Sequence, residues 1–379
     1  MSYRSSFDIP DGITYLNGAN MSPQLKLVTD QGIVAVNQKK HPWKILAADW
    51  FTGAEQLRSS AAQVFRTSAD NIALVPSVSY GLAVAAKNIN IDPGKSILLL
   101  DKEFPSNYYV WQQLAKEKNV RIRIVTRETG ENWTEAILSA IDANTGLVTL
   151  GQCHWMDGSL IHLDEISKKT HALGIPLILD LSQSLGARPI DIENIAPDFA
   201  VSVGYKWLLG PYGLGYMYVS PDWHEKGAPL EYSWLTRKDS EDFTQLVNYT
   251  ESFRPGARKF DMGEFSQFNL VPMAQAALSQ ILEWGVDSIH KYIAGLTQSI
   301  PDLSRGIPSI HCEEIDYAGH IRGVTVTGDP ALLAIKKALS EKDIYVSYRS
   351  NVIRIAPHIY NDQQDINRLF ECIAASITK

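Results

Sequence analysis

Short apolar runs recur along the chain: Ile72–Val75, Ile97–Leu100, Leu147–Leu150, Leu177–Leu181, Phe199–Val203 and Leu214–Val219. Each has the length of a strand, and each is nearly continuous rather than alternating, as strands covered on both faces are. Val120–Arg127 alternates apolar and basic residues, the pattern of a half-buried strand. Between these runs the spacing turns helical. Ala54, Leu57, Ala61 and Val64 share one helix face, and further helices are expected from Ser79 to Lys87, from about Ser106, and ahead of the Leu177 run. Strands alternating with helices predict an α/β fold with a mainly parallel sheet. Such sheets bind ligands at the carboxyl ends of their strands.

The pattern changes after Val219. Residues 222–262 carry Trp, Tyr and charges with few apolar runs, and are expected to form a long irregular excursion over the site. Residues 271–300 read as a long helix leading into a second unit. There, helices near 330–341 and 363–377 flank short strands. Ile366, Leu369, Phe370, Ile373 and Ile377 form the apolar face of the last helix. The division expected is a large α/β domain over residues 15–255 and a small α+β domain over 256–379, with segment 1–14 packing near the latter.

Composition narrows the class. The chain has 379 residues, 45% of them hydrophobic, and a formal net charge of −7. This is globular composition with no electrostatic case for nucleic acid. Cys153, Cys312 and Cys372 are far apart and form no CxxC, so neither a disulfide framework nor a zinc site is suggested. No run approaches the ~20 apolar residues of a membrane helix. MSYRSSFDIPDG lacks the apolar core of a secretory signal, and a reducing cytoplasmic setting is expected.

Candidate chemistry gathers at strand ends. Asp180 closes one apolar run, and Lys206 follows the next. Taken alone, these are an ordinary strand-end acid and a surface lysine. Together on one sheet edge they suit a cofactor held as a Schiff base by the lysine, with the acid paired to a ring nitrogen. Ser77, Val78 and Ser79 form a polar turn before a helix. That is either a plain N-cap or a set of backbone N–H groups for a phosphate. Phe104 stands at a strand-to-helix junction, as a core aromatic or as a ring to stack on a flat ligand. Cys153 and His154 are adjacent on a strand, point to opposite faces and read as structural. Gly210–Gly215 leads into a strand, so it is no dinucleotide fingerprint.

DLSQSLGA followed by DFAVSVGYKWLLGPYGLG resembles the class V aminotransferases, pyridoxal 5'-phosphate (PLP) enzymes of fold type I. The similarity runs from about Tyr15 to the C-terminus. It implies that Asp180 meets the ring nitrogen, Gln183 the ring oxygen, and that Lys206 carries the cofactor. It also implies that the Ser77–Ser79 turn holds the phosphate, with Phe104 over the ring and Ser106 and Asn107 nearby. Tyr205 stands where the family usually has His, as in kynureninases, where this Tyr contacts the phosphate. Kynureninases, however, usually carry His in place of Gln183. Trp155 falls where many members have Asn and kynureninases have Tyr, and is expected to line the substrate pocket.

Asn20 and Asn17, in a segment like the family's "YLNxA", are substrate-side candidates. VIRIAPHIYN resembles the segment whose Arg forks onto the substrate α-carboxylate, so Arg354 is the expected anchor. Arg349 is a second candidate, and His358 and Tyr360 read as structural. In dimeric relatives a Thr in a segment like FRPGARKFDMGEFS reaches the neighbouring subunit's phosphate. Glu264 occupies that place here, which makes Ser266 the substitute. The resemblance implies a homodimer acting on an amino acid. The reaction expected first is transamination. Kynureninase-like β-carbon hydrolysis or lysis, or epimerisation, is the alternative, and a non-catalytic binding module comes last. Cysteine desulfuration is disfavoured because KDIYVSYRSNVIR contains no Cys.

Overall fold

A computed structural model describes residues 3–128 and 130–377. Strand β1 is Thr14–Tyr15. Strands β2 (Ile72–Val75), β3 (Ser96–Leu100), β4 (Arg121–Val125), β5 (Thr145–Leu150), β6 (Leu177–Asp180), β7 (Phe199–Val203) and β8 (Gly215–Val219) form one seven-stranded sheet. Their spatial order is β2-β8-β7-β6-β5-β3-β4. β3 to β7 pair in parallel, and β8 runs antiparallel to both of its neighbours.

Two apolar cores explain why these strands read as continuous runs. Ile72, Leu74, Leu98, Leu100, Leu177 and Leu179 face one core. Ala73, Val75, Ile97, Leu99 and Ile178 face the other. Successive side chains point to opposite sides of a strand, so a sheet covered on both sides needs apolar residues at every position. Edge strand β4 departs from the expected alternation. Ile124 is 41% exposed. Arg123 instead turns in to Asp142 at 2.9 Å and Thr145 Oγ1 at 2.7 Å.

Helix Val78–Asn88 packs on β7. Gly81 permits this close approach, because a Cβ there would run into Val201 Cγ1. The long helical pattern after residue 270 is two helices, Leu270–Trp284 and Val286–Thr297. Gly285 separates them at φ +78°, a left-handed conformation that ends the first helix. Val271, Ala274, Leu278 and Ile281 of the first helix share a core with Leu57, Ala61 and Leu74. This helix packs on helices Lys26–Gln38 and Asp49–Phe65.

The small unit is built on strands β9 (Ile310–His311), β10 (Arg322–Val326), β12 (Ser347–Arg349) and β13 (Val352–Ile355). They form an antiparallel sheet in the order β12-β13-β10-β9. Helices Asp329–Glu341 and Gln363–Ile377 pack with it around Val324, Ile353, Leu369 and Ile373. Strand β11 (Ile344–Tyr345) pairs in parallel with β1. Leu16 is buried in this same core, so the N-terminal strand belongs with the small unit. Residues 222–262 hold only one short α-helix, Asp222–Lys226, and 3-10 turns.

Candidate active site

The parallel pair β6–β7 delivers the acid and the amine to one edge of the sheet. Asp180 is the last residue of β6 and lies in register with Val201. Lys206 follows the end of β7. Lys206 is 7% exposed, with Nζ 5.4 Å from the centre of the Phe104 ring and 5.9 Å from that of Tyr205. Burial pulls the Lys206 amine down to about 8; Asp180 opposes this, while Arg354 and Arg349 add to it. Burial raises the Asp180 carboxyl, and the hydrogen bonds from Ser182 and the charge of Lys206 pull it back. Its Oδ1 accepts the Ser182 N–H at 3.0 Å.

Leu100, Glu103, Phe104, Gly151, Cys153, His154, Trp155, Ser182 and Gln183 close the pocket around this pair. Phe104 caps helix Pro105–Lys118 and meets Trp155 edge to face, with ring centres 5.4 Å apart. The Trp155 indole N–H donates to the Lys102 carbonyl at 2.7 Å. Gln183 holds its place through two bonds. Its Nε2 donates to the Ala19 carbonyl at 2.9 Å, and its Oε1 accepts the Trp207 indole N–H at 3.1 Å. One N–H of the amide remains for a ligand.

Cys153 and His154 both line the pocket without pairing. Burial drives the Cys153 thiol up to about 12, so it is no nucleophile. The His154 Nε2 meets the Asp101 carbonyl at 3.1 Å, its Nδ1 faces Asp157 at 3.8 Å, and its ring stacks on Trp133. The His154 Nδ1 is enclosed without a hydrogen-bond partner.

Glu103 escaped the sequence reading. Its Oε1 accepts the Phe104 N–H at 2.7 Å, while Oε2 is enclosed without a partner. Burial, with Asp180 adding to it, lifts this carboxyl to about 8. The available signal was its position, between a buried strand and the Phe-Pro start of a helix.

The Ser77 turn opens on the same edge. Val75 of β2 and Val203 of β7 both pair with Gly215, one on each side. β2 and β7 therefore run in the same direction, and residues 76–79 and 204–206 leave the sheet side by side. The Ser77 hydroxyl caps helix Val78–Asn88, accepting the Tyr80 N–H at 3.1 Å, and meets the Ser79 hydroxyl at 2.9 Å. The N-cap is thus real, and the N–H groups of Val78 and Ser79 stay available at the helix start. Tyr205 packs on Tyr212, with ring centres 4.7 Å apart.

Other expected residues sit elsewhere. Ser106 lies in the first turn of helix Pro105–Lys118, outside the pocket lining. Asn107 is buried, with Oδ1 accepting from Trp111 and from Thr149, both at 2.9 Å. Asn20 is exposed, whereas the Oδ1 of Asn17 is enclosed without a partner. Ser266 donates to the Trp50 carbonyl at 2.6 Å. It borders a separate open cavity with Lys40, His41 and Phe268, and that cavity shares no residue with the Lys206 pocket. Arg354 is 1% exposed. Its Nη1 donates to the Trp155 carbonyl at 2.8 Å and its Nε to Ser347 Oγ at 3.0 Å. His358 and Tyr360 are fully buried, and Trp207, His358 and Tyr360 stack in series.

The family model "Aminotransferase class-V" matches residues 36–369. The chain belongs to this family. It is a PLP-dependent enzyme of fold type I. An uncharacterized aminotransferase of Bacillus subtilis is 25% identical over 85% of this chain and 83% of its own length. A kynureninase of Deinococcus radiodurans is 26% identical over 97% of this chain and 83% of its own. A probable cysteine desulfurase of Methanothermobacter thermautotrophicus is 26% identical over 68% of this chain and 63% of its own. Among solved structures, a C-DES variant with glycine covalently linked to the PLP cofactor superposes with a TM-score of 0.88 at 20% identity, covering 99% of each chain. A cysteine desulfurase of Thermococcus onnurineus gives 0.85 at 16% identity, covering 99% of this chain and 97% of its own.

The residues present fit PLP. The pocket offers an amine of lowered basicity, a carboxylate, an aromatic face and a spare amide N–H. Free backbone N–H groups lie at the same sheet edge.

Proposed function

We propose that this enzyme is an aminotransferase: it takes the amino group from an amino acid, leaving a 2-oxo acid, and passes it to a second 2-oxo acid. Lys206 would hold the cofactor covalently, with Asp180 on the ring nitrogen, Gln183 near the ring oxygen and Phe104 over the ring. Ser77, Val78 and Ser79 would hold the phosphate, joined by Tyr205. PLP supplies an electron sink for the pair left when an α-proton is removed. Lys206, once displaced by substrate, removes that proton and returns it on the same face. Arg354 would hold the α-carboxylate, with Trp155 and Asn17 beside it.

One observation carries the choice of transamination. Lys206 is the amine at the centre of the pocket, and burial brings it down to about 8, within reach of neutral pH. Burial holds Cys153 as a thiol and raises Glu103 to about 8. A 1,3 proton shift needs one base on one face. Desulfuration needs a thiolate, which the buried Cys153 does not supply. A second reading, β-carbon hydrolysis, is favoured by the Phe104–Trp155 pair, by Tyr205 beside Lys206 and by the kynureninase relative.

The deciding experiment adds amino acids, kynurenine included, to PLP-loaded protein one at a time. Transamination bleaches the visible absorbance with stoichiometric 2-oxo acid, and a second 2-oxo acid restores it. Turnover with persistent absorbance would instead establish lysis, hydrolysis or epimerisation.

We also propose a homodimer working in a reducing cytoplasm. Ile33, Val34, Val36, Trp43 and Leu46 leave a large apolar surface exposed beside the cavity that Ser266 borders. A second copy covering this face would bring Ser266 toward the partner's phosphate. The three unpaired cysteines agree with a reducing compartment. Light scattering showing a stable, active monomer would rule the dimer out.

A further inference from the structure

Among the described residues, Arg354 and Arg349, both beside the pocket, meet no carboxylate. Arg58, Arg127 and Arg258 each meet a carboxylate, at 2.7, 2.7 and 2.8 Å. The groups acting on Arg354 are burial, Arg349 and Cys153, and on Arg349 burial alone. Arg354 spends Nε and Nη1 on neutral oxygens and leaves Nη2 enclosed without an acceptor. Arg349 spends Nη1 on the Tyr348 carbonyl at 2.7 Å and leaves Nε enclosed in the same way. Buried charge without a counterion is costly, and two such cations side by side repel.

Trp155 ties the pair to the reacting centre. Its carbonyl holds Arg354, and its ring lies under the Arg349 guanidinium, 5.1 Å from centre to carbon. Its other edge meets Phe104, over which Lys206 sits. Both guanidinium charges are felt at Lys206. A ligand with one carboxylate neutralises one of the two cations and leaves the other exposed to it.

We propose that the substrate is an amino acid carrying a second anionic group on its side chain. Arg354 takes the α-carboxylate and Arg349 the distal anion, with the Trp155 indole against the methylenes between them. This rests on the assignment of Lys206 and PLP above and deepens it to a substrate class. Arg354, locked by two hydrogen bonds, is the rigid fork for the group every amino acid shares. Arg349, half-buried and held by stacking, meets the group that varies. A carboxylate, a sulfinate and a phosphate share the required chemistry.

The test titrates unreactive acids into PLP-loaded protein by calorimetry. Succinate and glutarate are compared with butyrate and valerate, and sulfopropionate and phosphonopropionate then distinguish the anion. The dianions are expected to bind at least about tenfold tighter. Arg349→Gln should abolish that advantage while retaining the cofactor absorbance, and Arg349→Lys should restore part of it. Equal binding of mono- and dianions, or an advantage unchanged in Arg349→Gln, overturns the proposal. If no visible cofactor absorbance forms at all, the assignment of Lys206 fails instead, so the two failures are distinguishable.

Discussion

Lys206 Nζ lies 5.4 Å from the centre of the Phe104 ring, so the amine and the aromatic face bound one narrow space from opposite sides. A flat ring joined to the lysine would lie against that face. Phe104→Ala is expected to weaken PLP retention about 2- to 10-fold, since an aromatic stack contributes roughly 0.5–1.5 kcal/mol. Equilibrium dialysis against PLP measures it. Unchanged retention would remove Phe104 from the cofactor site.

The lowered basicity of Lys206 predicts a pH profile for cofactor capture. A neutral amine is the nucleophile, and with its midpoint at about 8 the neutral fraction rises through that pH and then levels off. An ordinary lysine would still be gaining nucleophile above pH 10. Stopped-flow absorbance of the PLP-free protein mixed with PLP should therefore plateau near pH 9. Arg354→Gln removes a positive neighbour, so the midpoint should move up. A downward shift would show that Arg354 does not act on Lys206.

Much of this site was legible because it is local. Asp180 and Lys206 follow continuous apolar runs, and strand direction alone places both at a carboxyl edge. The Ser77 cap is likewise a short-range device. What escaped was tertiary. Glu103 looks like an ordinary loop acid until the closing of strand, helix and Asp180 around it removes its water. By resemblance Arg354 is the expected carboxylate anchor, while its place between isoleucines alone reads as solvent-facing or ion-paired. Its burial without an acid emerges only when the small unit's sheet meets the Trp155 loop. The placing of one later helix is tertiary for a similar reason. Helix Leu270–Trp284 has the same apolar periodicity whichever core it joins, and packing against Leu57 and Ala61 decides the matter.

Glu103 should make stability depend on pH. Burial raises its carboxyl to about 8 in the folded chain, whereas the unfolded chain titrates near the ordinary carboxylate value. Between these values the folded state holds a proton that the unfolded state has lost. Stability from this group is therefore complete at low pH and falls as pH rises to about 8. Glu103→Gln keeps the shape without the charge. In PLP-free protein its melting temperature should exceed that of wild type by an amount that grows from pH 5 to pH 8 and then stays level. A constant difference would mean Glu103 titrates normally.

The Arg58–Asp261 pair predicts a structural route to the Ser77 turn. Both side chains are fully buried, with Nη2 and Oδ2 2.7 Å apart. Arg58 also donates to the Ile72 carbonyl, and Asp261 Oδ1 accepts the Leu74 N–H at 2.7 Å. The pair thus pins β2, the strand that ends at the Ser77 turn. Asp261→Ala leaves Arg58 with Glu55, at the longer distance of 3.3 Å, as its acid, beside the Ile72 carbonyl. The expected loss is about 3–5 kcal/mol, as for other broken buried pairs. Replacing both partners, Arg58→Met with Asp261→Leu, removes the stranded charge and should cost less than Asp261→Ala. It should still fall short of wild type by about 1–3 kcal/mol, because the Leu74 N–H loses its acceptor. Urea unfolding of the PLP-free proteins ranks the three. A double variant less stable than Asp261→Ala would show that Arg58's own bonds to the Ile72 carbonyl and Glu55, rather than the charge balance, dominate this contact.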